Sequence, residues 1–229
     1  YKTGELSSGE MLRGQFELLS EIKDPRFVSV YEWFEEDEKC GFSMEKIDSP
    51  TIDQVFKEVP SKDSEFRKIK NILISILDSL SVLHSYGIIC GDLKPTHVFV
   101  DKSNNVKLID PGYDPDIITP VYAAPEALTG SPVFSSDIYS IGIILYEILT
   151  GEKPFKGDLS KIIEDKLKKA LPPPEEKNPS VPGELNLLIQ RMTETDINNR
   201  LKSIEEVKTE LALGAPSAGR KPSFIPVFS

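Results

Sequence analysis

The chain has 229 residues, of which 39% are hydrophobic and 28% are charged. Both shares are ordinary for globular proteins, which excludes a wholly disordered, collagen-like or disulfide-scaffold protein. The formal net charge of −10 provides no broad basic surface for the phosphates of a nucleic acid. We therefore expect a folded chain with no nucleic-acid partner.

Cysteine content and hydropathy limit the cellular setting. Cys40 and Cys90 are the only cysteines, which is too few for a disulfide framework and predicts a reducing, cytoplasmic compartment. The most apolar stretch, residues 138–149, is shorter than the roughly 20 residues that a membrane span needs, so we expect no span. The sequence starts at Tyr1 without a signal-peptide pattern, which indicates a segment of a longer chain with flanking domains.

In chain order, the first predicted elements are a helix and two strands. Residues 7–22 place apolar side chains at mostly helical spacing, and Pro25 closes this helix. Residues 27–34 are rich in Val, Tyr, Trp and Phe, and a second short run at 40–44 follows an acidic turn. This pattern predicts an antiparallel pair of strands.

The next segment contains the clearest helical pattern of the chain. Thr51 and Gln54 form a capping-box pattern that opens a short helix to about Val59. Apolar residues then recur every three or four positions over 69–83, until Gly87 stops the helix. This second helix is predicted to lie in the core.

Short strands and then helices complete the chain. Residues 98–100 and 106–109 predict two strands joined by a polar turn. The apolar spacing after them predicts helices at 136–150, 159–171, 184–193 and 204–213. The proline-containing end of the chain, residues 214–229, predicts a tail or linker.

Polar residues with catalytic chemistry cluster around the two short strands. Asp92 and Lys94 precede the first of these strands, and Asp110 ends the second. A hairpin returns these positions to one edge, where two carboxylates and a lysine suit phosphoryl transfer. One acid would orient a hydroxyl, the lysine would neutralise phosphate charge, and the other acid would hold Mg²⁺. Each acid taken alone is more often a turn-capping residue.

Five segments, in this order, resemble the motifs of serine/threonine protein kinases. Ile89-Cys90-Gly91-Asp92-Leu93-Lys94-Pro95 resembles the catalytic loop, Asp110-Pro111-Gly112 the magnesium-binding triplet, and Thr119-Pro120-Val121-Tyr122-Ala123-Ala124-Pro125-Glu126 the end of the activation segment. The run from Ser136 to Phe155 is similar to the central helix of the large lobe and the loop after it. Arg200 stands where the family pairs an Arg with the Glu that is Glu126 in this chain.

The short run Gly91-Asp92-Leu93 is also similar to the loop of small-molecule phosphotransferases of the aminoglycoside and choline type. Those enzymes lack the later motifs, so Lys94-Pro95 and Glu126 favour a protein kinase. The resemblance implies an α+β, kinase-like fold with a truncated small β lobe and a mainly helical large lobe. By this alignment, residues 1–47 are a partial small lobe, 48–213 the large lobe, and 214–229 the tail.

The resemblance implies a function and assigns roles to the clustered residues. The family transfers the γ-phosphoryl of ATP to a hydroxyl of a protein substrate, with ATP and Mg²⁺ as cofactors. Asp92 would orient the substrate hydroxyl, Lys94 would stabilise the transferring phosphoryl, and Thr119 would help to fix the loop. Asp110 would carry Mg²⁺, and Asp137 would brace the backbone of the catalytic loop.

The same alignment implies a nucleotide pocket in the small lobe and the hinge that follows it. Met44 would be the gatekeeper, and the backbone of Glu45 and Ile47 would face the adenine. Phe99 would form part of the pocket floor. Lys2 is the candidate for the strand lysine that holds the nucleotide phosphates. For Met44 and Phe99, ordinary core packing is an equally good interpretation.

The sequence also departs from the family pattern. The residues given contain no Gly-rich phosphate loop, and Gln15 stands where the Glu that partners the strand lysine is expected. His97 replaces the Asn that usually binds a second Mg²⁺, and imidazole suits borderline transition metals better than Mg²⁺. The resemblance therefore supports one metal at Asp110 rather than two. A pseudokinase that acts as a nucleotide-binding or protein-interaction module remains an alternative.

Two further departures lie within the catalytic loop. Cys90 and Gly91 replace the His and Arg that commonly precede the catalytic Asp. Without that Arg, a phosphate on the activation segment lacks its usual receptor. We therefore expect no control by phosphorylation of that segment.

Overall fold

The structure of the protein is a computed structural model. It describes most of the chain, in five stretches: residues 2–5, 9–36, 39–113, 118–168 and 170–213. The side chains of residues 2–5 and of residue 11 lie outside the description. The tail predicted at 214–229 also lies outside the described residues.

A three-stranded antiparallel sheet and one helix form the first part of the fold. The elements are β1 (Lys2–Glu5), α1 (Gly9–Glu21), β2 (Val30–Glu36) and β3 (Lys39–Met44). The order in the sheet is β1-β3-β2, so β3 pairs with both neighbours. The helix packs on the sheet through Phe16, whose ring centroid lies 5.9 Å from that of Trp33 and 5.7 Å from that of Phe42.

The strand predicted at 27–34 is partly wrong, because β2 begins at Val30. Phe27 and Val28 are each only 1% exposed and lie outside the sheet. Phe27 forms an isolated bridge with Leu108, and the Val28 N–H donates to the Leu108 carbonyl over 3.1 Å. Their apolar side chains are therefore buried at the junction with the second part of the fold. An edge strand exposed to solvent would leave them unburied.

The second part of the fold is mainly helical. Its helices and strands, in order, are α2 (Ile52–Val55), α3 (Asp63–Ser85), a 3₁₀ turn (Pro95–His97), β4 (Val98–Val100), β5 (Val106–Leu108), α4 (Pro125–Leu128), α5 (Phe134–Thr150), α6 (Leu159–Lys168), α7 (Pro174–Lys177), α8 (Gly183–Met192) and α9 (Ile204–Leu213). Strands β4 and β5 form a separate antiparallel hairpin.

Helices α3 and α5 form the centre of this part. The predicted apolar stripe of α3, from Ile69 to Leu83, is buried along its whole length. Nearly every side chain of α5 is buried, which is the pattern of a helix surrounded by protein. Gly151 ends α5 with φ of +72°, a conformation that a glycine adopts at little cost.

Two predicted helices are shorter than expected. Helix α2 does begin at the predicted capping box, where the Thr51 N–H donates to Gln54 Oε1 over 3.1 Å, but it ends at Val55 rather than Val59. Helix α6 ends at Lys168 rather than residue 171. The proline at 172 disfavours helical backbone at residue 171, which lies outside the helix. The predicted α+β, kinase-like class is otherwise observed. Within the described stretches, no helix is long and apolar enough to cross a membrane.

Candidate active site

The residues predicted to carry catalysis meet at one point. They lie on the loop from Ile89 to Pro95, here called the catalytic loop, and on residues 110–126, here called the activation segment. Lys94 Nζ donates to Asp92 Oδ2 over 2.6 Å and to Thr119 Oγ1 over 3.1 Å. The Thr119 backbone N–H donates to Asp92 Oδ1 over 2.8 Å. The Asp92 carboxylate is therefore held from both the catalytic loop and the activation segment.

Asp137 of α5 supports the catalytic loop, as predicted. Its Oδ2 accepts from the Cys90 N–H and its Oδ1 from the Gly91 N–H, each over 2.9 Å. His84 Nε2 of α3 lies 2.8 Å from the same Oδ2. Asp137 is fully buried, so these bonds replace the water that its carboxylate loses.

Gly91 lets the activation segment pack directly on the catalytic loop. Its φ is +79°, and a Cβ added there would lie 2.5 Å from the Tyr113 Cα atom. No side chain fits in that space without a backbone shift. Tyr113 in turn donates from its hydroxyl to the Ala127 carbonyl over 2.9 Å. The absence of an Arg at position 91 therefore has a steric reason.

All three hydroxyl side chains of the activation segment take part in internal hydrogen bonds. They are Tyr113, Thr119 and Tyr122. Tyr113 and Thr119 bond as described above, and the Tyr122 hydroxyl donates to Glu147 Oε2 over 2.7 Å. Burial and this carboxylate both raise the pKa of Tyr122. The segment is thus tied to the large lobe by its own hydroxyl groups.

Asp110 follows β5 at the edge predicted for the metal. Its φ of +55° is unusual for a residue other than glycine and marks local backbone strain, which often accompanies functional sites. Its side chain is 19% exposed, and Oδ2 lies 3.8 Å from His97 Nε2. The two residues predicted for metals are therefore neighbours. Among the described residues, no group of three or more His, Cys, Asp or Glu side chains forms a metal-binding cluster.

The residues predicted to bind the nucleotide base surround one cavity. This cavity, of about 420 Å³, is lined by Met44, Glu45, Lys46, Ile47, Phe99 and Ile109. Ile109 directly precedes Asp110, so the cavity adjoins the candidate metal position. Its mostly apolar walls with few polar groups are typical of small-molecule sites.

A salt bridge holds Glu45, one of the residues that line this cavity. Lys107 Nζ of β5 lies 2.6 Å from each carboxylate oxygen of Glu45. The hydrogen bond from Lys107 outweighs the effect of burial and lowers the pKa of Glu45. The Glu45 N–H also donates to the Ser29 carbonyl over 2.8 Å. Glu45 therefore links the small sheet to the β4–β5 hairpin beside the cavity.

The role of Lys2 in binding phosphate stays a prediction. Lys2 begins β1, where it pairs with Phe42 of β3, and its side chain is among those not described. Gln15 lies on α1. That Gln15 prevents the usual ion pair between a glutamate and the strand lysine stays a prediction.

The predicted ion pair between Glu126 and Arg200 is confirmed. Arg200 Nη1 lies 2.5 Å from Glu126 Oε1, and Nη2 lies 3.0 Å from Oε2. Ser136 Oγ donates to Glu126 Oε1 over 2.6 Å. Burial alone would raise the pKa of Glu126, but these hydrogen bonds and the Arg200 charge lower it. The pair joins the end of the activation segment to the loop before α9.

This arrangement matches a known family along almost its whole length. A family model described as the protein kinase domain matches residues 3–211. The chain belongs to the protein kinase family. Its fold is the one that the resemblance implied, and the chain is called the kinase domain below.

Bacterial relatives carry the same family name. The kinase domain is 34% identical over 209 residues to the probable serine/threonine-protein kinase PknB of Lactococcus lactis, covering 85% of this chain and 33% of that protein. It is 28% identical over 215 residues to the serine/threonine-protein kinase PrkC of Bacillus subtilis, covering 87% of this chain and 33% of that protein. The chain thus spans about a third of the length of these relatives.

A solved structure supports the fold. The crystal structure of Rad53 residues 1–466 in complex with AMP-PNP superimposes with a TM-score of 0.75 at 24% identity. The match covers 91% of this chain and 56% of that chain. The likeness therefore extends through both parts of the kinase domain.

The sequence did not point to three residues that the structure brings to the site. Tyr113, Lys107 and Glu147 each bind a residue far away in the chain. Only Tyr113 had a signal in the sequence, which is the glycine at 91 in place of Arg. A glycine before a catalytic acid indicates that another backbone approaches closely.

Proposed function

We propose that the kinase domain transfers the γ-phosphoryl of ATP to a Ser or Thr hydroxyl of a protein substrate. The observation that carries this proposal is the constellation of Asp92, Lys94 and Thr119. It holds a carboxylate in one orientation beside a lysine, which is the positioning that phosphoryl transfer requires. The names of the relatives as serine/threonine-protein kinases support the choice of hydroxyl.

Each member of the constellation has a proposed role. Asp92 accepts a hydrogen bond from the substrate hydroxyl and orients its oxygen toward the phosphoryl group. Lys94 moves from Asp92 and Thr119 toward the phosphoryl oxygens, whose negative charge it stabilises. Thr119 keeps the activation segment against the catalytic loop, so that the substrate hydroxyl meets Asp92.

The cavity beside residues 44–47 is proposed to hold the adenine of ATP. Its volume and apolar lining support this role, and the Rad53 structure was solved with AMP-PNP. The carboxylate of Asp110 fits Mg²⁺, which prefers oxygen ligands and often takes one or two carboxylates plus substrate phosphates. When bound, Mg²⁺ supplies positive charge against the phosphate oxygens. His97 offers nitrogen and fits Mg²⁺ poorly.

We also propose that activity does not depend on phosphorylation of the activation segment. Each of its hydroxyl groups is engaged within the fold. Gly91 replaces the Arg that would receive a phosphate, and the adjoining space is filled by Tyr113. The contact between residues 91 and 113 thus takes over the ordering role that an Arg–phosphate pair would have.

The remaining parts of the proposal concern the setting of the domain. A cytoplasmic location is supported by the cysteine content of the chain, since two cysteines are too few for a disulfide framework. Flanking domains, with protein substrates or partners, are supported by the greater length of the bacterial relatives. We further propose the boundaries 1–47 for the small lobe and 48–213 for the large lobe.

One observation supports a pseudokinase as the second candidate. His97 Nε2 lies 3.8 Å from Asp110 Oδ2, so an imidazole is adjacent to the proposed metal position. Weakened metal binding would then leave a nucleotide-binding or protein-interaction module. The retained Asp92, Lys94 and Asp110, together with the kinase names of the relatives, favour the catalytic proposal.

A phosphotransfer assay tests the two candidates. The full-length protein is incubated with radiolabelled ATP, Mg²⁺ and a mixture of peptides that each contain one Ser or Thr. The wild type should transfer label, and Asp92→Asn should reduce the rate by about 10²- to 10⁴-fold. Asp63→Asn, which changes an exposed acid at the start of α3, is the matched control and should act as the wild type does. Transfer that survives in Asp92→Asn would refute the catalytic role.

A further inference from the structure

Lys166 is a buried lysine at the end of helix α6. It is 1% exposed, whereas the next residue, Leu167, is 59% exposed. Lys168 and Lys161 of the same helix are also exposed and pair with acids of that helix. A lysine is seldom fully buried, since its ammonium loses hydration. Its position therefore indicates that the ammonium is held by specific contacts.

Those contacts lie in the activation segment and in two aromatic rings. Lys166 Nζ donates to the Val121 carbonyl over 2.9 Å and to the Ala123 carbonyl over 2.7 Å. It also lies 4.7 Å from the ring centroid of Tyr139 and 4.5 Å from that of Phe155. Carbonyl oxygens and ring faces both attract a cation, and a charged donor strengthens a hydrogen bond.

The two carbonyls belong to the turn that positions Thr119. The N–H groups of Tyr122 and Ala123 donate to the Thr119 carbonyl over 3.1 and 3.2 Å. The Thr119 N–H in turn donates to Asp92. A cation that binds the carbonyls of residues 121 and 123 therefore holds a turn that is one hydrogen bond from the proposed catalytic carboxylate.

We propose that the Lys166 ammonium is a positioning residue for phosphoryl transfer, because it fixes the 119–123 turn against which the peptide substrate aligns its hydroxyl. This role rests on the kinase activity proposed above. Lys166 does not touch the reacting groups, since its contacts are to the turn and the rings. Its effect should thus fall on the peptide substrate more than on ATP.

The surroundings of Lys166 also make this contact sensitive to pH. Burial lowers the pKa of Lys166 to about 7, with the Glu126 charge opposing and the Arg200 charge adding to this effect. Among the described residues, Tyr139 also faces the ammonium, and its own pKa is raised by burial. As the pH rises above about 7, the ammonium becomes an amine, and two charge-assisted hydrogen bonds weaken.

The test uses the full-length protein with Lys166→Met, which keeps an unbranched side chain one atom shorter and removes the charge. Lys168→Met, on the exposed side of α6, is the matched control. Steady-state kinetics are measured with saturating ATP and Mg²⁺, using a Ser-containing peptide that the wild type phosphorylates and that has no titrating group between pH 6.5 and 9. At pH 6.5 we expect Lys166→Met to raise the KM for peptide by roughly tenfold, and to leave the KM for ATP and the melting temperature near those of the control.

The pH profile separates positioning from a purely structural role. In the wild type, the peptide KM should rise between pH 6.5 and 9 as Lys166 loses its proton. In Lys166→Met it should already be high and should not change further. Other groups titrate equally in both proteins, so the difference between the two profiles reports on Lys166. Parallel profiles, or an unchanged peptide KM in the variant, would overturn the proposal.

Hydrogen exchange provides a readout that does not require activity. Lys166→Met should speed amide exchange over residues 118–124 while α3 and α5 exchange as in the wild type. Faster exchange in this segment with an inactive wild type would support the contact and refute the proposed function. Unchanged exchange in the segment would overturn the positioning role whether or not the wild type is active. If Lys166→Met unfolds, Lys166→Arg, which keeps the charge at every pH used, should show a peptide KM that no longer rises with pH.

Discussion

Two regions of the site are built differently. One, here called the support, comprises the buried residues that hold the catalytic loop and the activation segment. The other, here called the nucleotide side, comprises the cavity and the candidate metal position. In the support, Asp137 and Arg200 are buried, and each makes several hydrogen bonds. On the nucleotide side, Asp110 is 19% exposed, and the pair of Glu45 and Lys107 is about a quarter to a third exposed. The motif residues Asp137 and Arg200 are retained in the support, whereas two of the departures from the family, Gln15 and His97, lie on the nucleotide side.

This contrast separates what stabilises the fold from what binds ligand. A buried ion whose partner is removed is left uncompensated, so changes in the support should lower stability strongly. A partly exposed ion can be solvated again, so changes on the nucleotide side should alter binding with little effect on folding. The predictions below test this separation, from the largest expected effect to the smallest.

The largest effect is expected at the ion pair of Glu126 and Arg200. Arg200→Ala should lower the free energy of unfolding by about 3–5 kcal/mol, because the Glu126 carboxylate is left without its cation. For a domain of this size the melting temperature should fall by roughly 10 °C. The control is Arg191→Ala, which removes a partly exposed ion pair with Glu210 and should cost about 1 kcal/mol or less. Equal melting temperatures for the two variants would contradict the prediction.

The same pair predicts how stability depends on pH. The pKa of Glu126 is lowered in the folded state from its ordinary value of 4.5. Glu126 therefore contributes stability that is present above that value and is lost as the pH falls through the folded pKa. Urea unfolding between pH 3 and 7 should show this loss in the wild type. Arg200→Ala should lose less stability over the same range, since the pair is already broken.

The second effect is on metal-dependent nucleotide binding. Asp110→Asn should weaken ATP binding measured with Mg²⁺ by at least roughly tenfold, because a neutral amide is a poorer ligand for Mg²⁺ than a carboxylate. Binding without Mg²⁺ and the melting temperature of the free protein should change little. Calorimetry that finds the same loss with and without Mg²⁺ would remove the metal role from Asp110.

The third effect concerns the imidazole beside Asp110. His97→Asn supplies an amide oxygen at this position and should raise phosphorylation of a generic peptide by about threefold, through better metal binding. Folding should be nearly unchanged, since the His97 backbone, which bonds to Lys94 and Ile109, is kept. Adding Asp92→Asn should abolish both the basal and the raised activity. A rate below that of the wild type would show that His97 itself assists the reaction.

The smallest effect is expected at the pair of Glu45 and Lys107. Lys107→Met should lower the free energy of unfolding by about 0.5 kcal/mol, as is usual for partly exposed ion pairs. The alignment gives the adenine contact to the Glu45 backbone and not to its side chain, so the affinity for ATP should fall by less than about threefold. Chemical denaturation and calorimetry measure the two quantities. A loss of several kcal/mol in the free energy of unfolding would show that this pair stabilises the fold as strongly as the buried residues of the support do, which would contradict the prediction.

The sequence determined much of the fold and the order of the site residues. The apolar repeat at 69–83 and the central helix at 136–150 could be predicted because helical spacing is local and both helices are buried. The order of the five motifs identified the family and placed Asp92, Lys94 and Asp110 in one site. The pair of Glu126 and Arg200 followed from the same resemblance, although 74 positions separate the two residues.

Tertiary structure decided the features that depend on which distant segments meet. The sequence at 27–34 has strand propensity throughout, but burial of Phe27 against β5 moves the start of β2 to Val30. Gly91 was visible as a departure, and only the position of Tyr113 explains it. Lys166 looks like its exposed neighbours in a lysine-rich helix, because the carbonyls that hold it belong to the backbone and leave no trace in the sequence. Local patterns report the periodicity of a segment, whereas the partner of a buried polar group is set by how the segments pack.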